Sequence, residues 1–169
     1  MQRRSVDNIV LVGMPGCGKT SIGQLLAEKT NKRFIDTDIE VAEAAGRNIP
    51  EIFDLEGEAG FRKRETEAIK KFGKERGQVI ATGGGCVTIE ENYLHLCQNG
   101  SIIFIERNLN KLSREGRPLS QGNLGAMYEK RLPLYRRFAD YTVQNEGDVH
   151  DAVKNIMETL YRDTDVIDD

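Results

Sequence analysis

The sequence contains no tryptophan, only two histidines and only three cysteines among its 169 residues. The cysteines, Cys17, Cys86 and Cys97, are odd in number and form no Cys-x-x-Cys pair. The sequence therefore predicts neither a disulfide framework nor a zinc site. We expect a reducing compartment, and so a cytoplasmic protein.

Long hydrophobic runs are also missing. The N-terminal segment leads into the apolar run Ile9-Val10-Leu11-Val12, which is only four residues long. A signal peptide needs a longer apolar core, and a membrane-spanning helix needs roughly 20 apolar residues. We therefore expect neither export nor insertion into a membrane.

The sequence has no excess of positive charge. Lysine and arginine total 24 against 27 aspartate and glutamate residues, which gives a formal net charge of -3. A nucleic acid is therefore a poor candidate partner, because nonspecific binding to phosphates needs a basic surface.

The length fits one compact domain, and 38% apolar residues suffice for a core. We expect a monomer with one domain over residues 1–161 and a frayed tail over 162–169.

Short apolar runs alternate with segments of helical periodicity. The first run is followed by Phe34-Ile35, Val79-Ile80-Ala81, Ile102-Ile103-Phe104-Ile105 and Tyr141-Thr142-Val143. Helices are predicted over residues 19–30, from Pro50 through Leu55, over 58–72, and from about Asp148. This alternation predicts an α/β fold, an open parallel sheet with helices on both faces. Residues 116–125, rich in glycine, are predicted to form a long lid loop.

The strongest motif is Gly13-Met14-Pro15-Gly16-Cys17-Gly18-Lys19-Thr20, which matches the phosphate loop GxxxxGK[ST] between a strand and a helix. Backbone amides at a helix N-terminus bind phosphate oxygens, Lys19 would reach the outer phosphates, and the Thr20 hydroxyl can ligate magnesium. A plain glycine turn would not explain Lys19 and Thr20. Cys17 is interpreted as a small buried filler, with a redox switch as the alternative.

Asp36 and Asp38 follow the second predicted strand. Residues two apart on a strand point the same way, so both carboxylates are expected at the carboxyl edge of the sheet, where ligands bind. One could help to hold magnesium through water, and the other could accept the proton of an attacking hydroxyl. Alternatively, Asp38 could be the N-cap of a helix that begins near Ile39.

Three further features are candidates for binding. Arg62 and Glu65 stand three apart on a predicted helix, where an exposed surface pair is the simpler interpretation. Gly83-Gly84-Gly85 indicates either a ligand close to the main chain or a tight turn. Arg117 at the start of the lid could close onto phosphates, although a single arginine is usually only a surface residue. The helix after the lid carries Arg131-Leu132-Pro133-Leu134-Tyr135.

In this order, the motifs resemble those of the shikimate kinase family, from Ile9 to about Ile156. The family match comprises the phosphate loop, the Asp-x-Asp, the Phe-Arg-x-x-Glu from Phe61 to Glu65, the triple glycine, Arg117-Pro118-Leu119 and the Arg-x-Pro-Leu-Tyr from Arg131. By resemblance we expect a three-layer phosphate-loop kinase with sheet order 2-3-1-4-5. Its expected activity is transfer of the γ-phosphoryl group of ATP to the 3-hydroxyl of shikimate.

The resemblance also implies roles for individual residues. ATP would contact Gly16, Cys17, Gly18, Lys19, Thr20, Ser21, Arg114 and Arg117, with adenine near Arg114 and the loop from Asn145 to Val149. Magnesium would be held by Thr20 and, through water, Asp36. Shikimate would contact Asp38, Arg62, Gly83, Gly84, Gly85 and Arg131. Lys19, Asp38 and Arg117 would be catalytic, and Glu65 would orient Arg62.

Three alternatives stay open at this point. Another small-molecule kinase of the same build, such as a gluconate or nucleoside monophosphate kinase, would need different acceptor contacts. A nucleotide-gated switch is disfavoured because Asn31-Lys32-Arg33-Phe34 lies early and lacks the aspartate of a guanine-binding motif. A pseudoenzyme that only binds shikimate is disfavoured by Lys19, Asp38 and Arg117.

Overall fold

A single parallel sheet of five short strands organises the fold. The computed structural model describes residues 7–112 and 123–162. The strands are β1 (Asn8–Val12), β2 (Arg33–Asp36), β3 (Gln78–Ala81), β4 (Gly100–Glu106) and β5 (Tyr141–Gln144). Their spatial order is β2-β3-β1-β4-β5, and every pair is parallel. The predicted strands and their order are therefore confirmed.

Helices connect the strands, as the alternation predicts. They are α1 (Lys19–Thr30), α2 (Thr37–Ala45), α3 (Ile49–Gly73), α4 (Glu91–Cys97), α5 (Leu124–Phe138) and α6 (Val149–Tyr161). Short 3₁₀ turns lie at Cys86–Thr88 and Leu109–Lys111. Over residues 7–112 and 123–162, no helix is both long enough and apolar enough to span a bilayer.

The apolar runs form the centre of the core. All five residues of β1 are buried, as are all four of β3 and Ile102 to Ile105 of β4. Burial on both faces explains why these strands are continuous apolar runs rather than alternating ones. The carboxyl ends of β1, β2 and β3 lead directly into the segments that carry the predicted site residues.

Helix α3 covers the two separate helices that the sequence predicts, and it contains a break between them. Asn48 caps its start, since its side chain accepts a hydrogen bond from the Glu51 amide at 2.9 Å, and Pro50 lies in the first turn. Gly57, with φ 71° and ψ -178°, leaves the helical conformation between the two halves. The second half carries Arg62 and Glu65.

Helix α2 begins two residues earlier than predicted. Asp36 is its N-cap, because its carboxylate accepts hydrogen bonds from the amides of Asp38 (3.0 Å) and Ile39 (3.4 Å). Asp38 is thus in the first turn of the helix. The interpretation of Asp38 as the N-cap is wrong, and so is the expectation that both aspartates point the same way from a strand.

Several predictions fall outside the described residues. Arg114, Arg117 and most of the predicted lid lie within 113–122, and the predicted tail lies almost entirely within 163–169. The end of the lid differs from the prediction. The Asn123 side chain accepts a hydrogen bond from the Ala126 amide at 3.0 Å, and α5 begins at Leu124.

Candidate active site

The phosphate loop joins β1 to α1, as its motif predicts. Gly13, Gly16 and Gly18 have positive φ values of 154°, 82° and 101°, which side chains rarely allow. Gly18 immediately precedes the 12-residue helix α1. The backbone amides at this helix N-terminus therefore favour an anion such as phosphate.

Lys19 is buried and folds back over the loop. Its Nζ donates to the backbone carbonyls of Gly13 (2.6 Å) and Met14 (3.0 Å). These contacts hold the ammonium group against the loop where a phosphate chain would lie. Cys17 is also buried, with Sγ 3.6 Å from Lys19 Nζ, which agrees with its interpretation as a small buried filler.

Asn145 fixes the phosphate loop from the end of β5. Its Nδ2 donates to the Cys17 carbonyl at 2.8 Å, and its Oδ1 accepts from the Gly147 amide at 3.0 Å. A Cβ atom on residue 18 would lie only 2.7 Å from Asn145 Nδ2, so this close approach needs glycine. The sequence places Asn145 only near the adenine region by resemblance. Nothing in its local pattern predicts this contact with a distant loop.

Thr20 and Asp36 meet at the edge of the site. Thr20 Oγ1 donates to Asp36 Oδ2 at 3.3 Å, while Asp36 Oδ1 caps α2. In the part of the chain that the structure describes, no three His, Cys, Asp or Glu residues cluster as metal ligands do. Hard oxygen donors of this kind still fit magnesium, which is usually held by one or two protein groups together with phosphates and water.

Arg62 and Glu65 form a buried ion pair, so the surface-pair interpretation is wrong. Arg62 Nη1 donates to Glu65 Oε1 at 2.9 Å, and the two residues are 6% and 0% exposed. Arg62 Nη2 also lies 3.5 Å from Oε1 of the exposed Glu58. A buried pair of this kind holds its guanidinium group in a fixed orientation.

Burial perturbs Glu65 strongly. Removal from water raises the pKa of Glu65 from its ordinary value of 4.5 to about 7, and the negative charge of Asp38 acts in the same direction. Arg62 and Arg131 oppose the increase. Glu65 therefore titrates near neutral pH.

The triple glycine is required for space. A Cβ atom on residue 83 would lie 2.5 Å from Glu65 Oε2 and 2.9 Å from Asp38 Oδ1, and one on residue 84 would lie 2.6 Å from Pro15 Cδ. A Cβ atom on residue 85 would overlap the Arg62 guanidinium group. The glycines thus let α2, α3 and the phosphate loop approach the same segment, which a tight turn alone would not require.

Helix α5 closes the other side of this segment. Its Tyr135 is buried, donates from Oη to the Gly84 carbonyl at 2.5 Å and stacks on Phe104 with ring centroids 5.1 Å apart. Burial raises the pKa of Tyr135, so its hydroxyl remains a donor. The sequence gives Tyr135 only as part of a motif and does not predict this contact.

Three buried polar atoms of Arg62, Glu65 and Arg131 have no hydrogen-bond partner among the described residues. They are Arg62 Nε, Glu65 Oε2 and Arg131 Nη1. Leaving buried polar groups unsatisfied costs about 1 to 3 kcal/mol each. Two cationic donors and one acceptor therefore indicate a site for a small polar ligand with anionic character.

Comparisons with known proteins agree with this geometry. A family model described as shikimate kinase matches residues 15–161. The shikimate kinase of Thiobacillus denitrificans is 39% identical, with 95% of this chain and 92% of that protein covered. The shikimate kinase of Chromohalobacter salexigens is also 39% identical, with 98% of each chain covered.

A solved structure gives the same result. The shikimate kinase of Acinetobacter baumannii, determined in complex with shikimate, superposes with a TM-score of 0.87. It is 34% identical, and the superposition covers 95% of this chain and 96% of that one. This chain belongs to the shikimate kinase family.

Proposed function

We propose that this chain transfers the γ-phosphoryl group of ATP to the 3-hydroxyl of shikimate, giving shikimate 3-phosphate and ADP for aromatic amino acid biosynthesis. One observation carries the proposal. The glycine segment 83–85 contacts the phosphate loop through Pro15 on one side and the buried Arg62 and Glu65 pair on the other. A phosphate site and an anion site are therefore neighbours.

The phosphate loop would bind ATP through Gly16 to Ser21. The amides at the start of α1 would contact the phosphates. Lys19 Nζ would give up its hydrogen bonds to the loop carbonyls and donate to phosphate oxygens instead. Arg117 would close onto the phosphates from the lid, and Arg114 would lie near the adenine. Positioning and charge neutralisation would supply most of the rate enhancement.

The acceptor would bind between α2, α3, α5 and the glycine segment. Shikimate carries one carboxylate and three ring hydroxyls, so Arg62 and Arg131 would bind the carboxylate with their unsatisfied donors. Asp38 and the backbone of Gly83 to Gly85 would bind hydroxyls. Asp38 would accept the proton of the attacking hydroxyl as general base.

Thr20 and Asp36 would hold magnesium, with Asp36 acting through water. When bound, the ion would neutralise charge on the β- and γ-phosphate oxygens. Asp36 can serve this role and still cap α2, because its two carboxylate oxygens make separate contacts.

We also propose that the protein is a monomer in the cytoplasm. Cys17, Cys86 and Cys97 are all free thiols, which suits a reducing compartment. Sedimentation in the presence and absence of substrates would test the monomer, and a dimer would contradict it.

An acceptor panel tests the proposed function. We expect magnesium-dependent release of ADP with shikimate, and little with quinate, gluconate or nucleoside monophosphates. Faster turnover with gluconate or a nucleotide would identify another kinase of this build. Binding of shikimate and ATP with no turnover would indicate a pseudoenzyme, and nucleotide binding without any acceptor would indicate a switch.

A pair of arginine variants tests the anion site within the same assay. Arg62→Met should raise the KM for shikimate by about 100-fold, because charged hydrogen bonds to a carboxylate are lost, and leave the KM for ATP nearly unchanged. Arg64→Met is the matched control. Arg64 lies on the same helix and pairs with Glu56 at 3.0 Å, away from the glycine segment. Equal effects of the two variants would contradict the assignment of Arg62.

A further inference from the structure

Glu65 is a buried carboxyl group with a second oxygen that the proposed chemistry does not use. Its Oε1 accepts from Arg62, and its Oε2 faces the glycine segment without a partner among the described residues. The residue is 0% exposed. A carboxylate in such a place lacks the water that normally stabilises its charge.

Charged groups surround Glu65 from each element packed near it. Helix α3 contributes Arg62 and, beyond it, Glu58, while α2 contributes Asp38 and α5 contributes Arg131. The Cys86 thiol also lies near, but burial raises its pKa to about 12, so it is neutral at physiological pH. Without an acceptor, two guanidinium groups thus face three carboxyl groups, which leaves an excess of one negative charge when all of them are ionised.

Binding of a carboxylate changes this balance. An acceptor carboxylate on Arg62 and Arg131 adds a negative charge and draws on the cations that stabilise ionised Glu65. Like charges in a dry site cannot all remain ionised, and the group that loses water most completely is the one that becomes protonated. Glu58 is 60% exposed and stays hydrated, whereas Glu65 is dry and already titrates near neutral pH.

We infer that Glu65 takes up one proton from solvent when the anionic acceptor binds, so that the site recognises the acceptor carboxylate with Glu65 neutral. The inference rests on the proposed function. The proton comes from water or buffer and forms an O–H bond on the Glu65 carboxylate. No other bond changes in this step. Acceptor affinity should consequently weaken as pH rises above neutrality.

Calorimetry of shikimate binding, without nucleotide, tests this inference. Nucleotide is omitted because phosphate groups titrate near pH 6. The binding heat is measured at pH 7 and pH 8 in two buffers of different ionisation enthalpy. We expect uptake of about 0.5 proton at pH 7 and close to 1 at pH 8, with Kd rising towards tenfold per pH unit above pH 7.

Two variants assign the proton to its group. Glu65→Gln carries a side chain that is already neutral, so it should bind shikimate with no proton uptake and with a flat Kd over this pH range, and at pH 8 no more weakly than wild type. Glu58→Gln removes the other carboxylate beside Arg62 and should keep the uptake of wild type. Both variants retain His95 and His150, so histidine titration cannot produce the difference.

The outcomes separate the two claims. Binding and turnover of shikimate without proton exchange in wild type would overturn this inference and leave the proposed function standing. Equal uptake in Glu65→Gln and wild type would also overturn it. If Glu65→Gln does not fold, the two-buffer measurement on wild type still decides whether a proton is taken up. No binding and no turnover would reject the proposed function, and this inference with it.

Discussion

Asp36 and Asp38 stand two residues apart and have different surroundings. Asp36 ends β2, caps α2 and contacts Thr20, whereas Asp38 lies in the first turn of α2 beside Gly83. The Asp-x-Asp pattern indicates a site but does not decide which aspartate ends the strand. That choice depends on where α2 begins, because Asn, Asp, Ser and Thr caps compete at neighbouring positions.

Asparagine variants should separate the two roles. Asp38→Asn should lower turnover by about 100-fold, because the amide cannot accept a proton, with little change in ATP affinity. Asp36→Asn should keep the helix cap, since Asn caps nearly as well, but should raise the magnesium concentration needed for half-maximal rate. Turnover, ATP affinity and magnesium dependence are measured for both. Normal turnover of Asp38→Asn would contradict the role of Asp38 as general base and would show that its role is structural.

At the scale of elements, the phosphate loop depends on contacts from other parts of the chain. Asn145 holds it from the end of β5, and Pro15 packs against the glycine segment that Tyr135 of α5 also contacts. Strand β5 is one of the two edge strands of the sheet, two strands away from β1. The loop is therefore positioned from both sides before a nucleotide binds, which reduces the ordering cost of binding.

Removing the Asn145 side chain should loosen this loop. Asn145→Ala loses the bond to the Cys17 carbonyl and the bond from the Gly147 amide, so we expect a loss of about 1 to 3 kcal/mol in unfolding free energy. The KM for ATP should rise several-fold more than the KM for shikimate. Asn155→Ala, at an exposed position of α6, is the control and should change neither. Equal KM changes for both substrates would argue against a role specific to the phosphate loop.

The elements were predictable to different degrees. The buried strands and α1 follow from continuous apolar runs and from the phosphate-loop motif, which are local signals. The Arg62 and Glu65 pair was different, because a charged pair three apart on a helix is usually exposed. Its burial depends on three consecutive glycines in a segment that is distant in sequence, and only the resemblance pointed to it.

For the whole molecule, one buried carboxyl group links stability to pH. The folded state raises the pKa of Glu65 to about 7 from an ordinary 4.5, so folded protein binds this proton more tightly than the unfolded chain. The resulting stabilisation is fully present below about pH 4.5 and is lost as pH rises through about 7. Its size is on the order of 3 kcal/mol for a shift of this kind.

Chemical denaturation between pH 4.5 and pH 8 checks this link. Glu65 should contribute a fall in unfolding free energy with rising pH, and Glu65→Gln should lack that contribution. The difference between wild type and Glu65→Gln isolates Glu65, because all other groups titrate in both proteins. Glu58→Gln should follow the wild-type pH dependence. Parallel curves for wild type and Glu65→Gln would show that Glu65 titrates alike in folded and unfolded chains.

Identification of the reaction product tests the central claim most directly. Purified protein is incubated with ATP, magnesium and shikimate. Phosphorus and proton NMR then show which ring hydroxyl of shikimate carries the transferred phosphate. We predict one new phosphate ester, on the 3-hydroxyl, formed in equal amount with ADP. Phosphate on a different hydroxyl, or hydrolysis of ATP to inorganic phosphate with shikimate unchanged, would contradict the account.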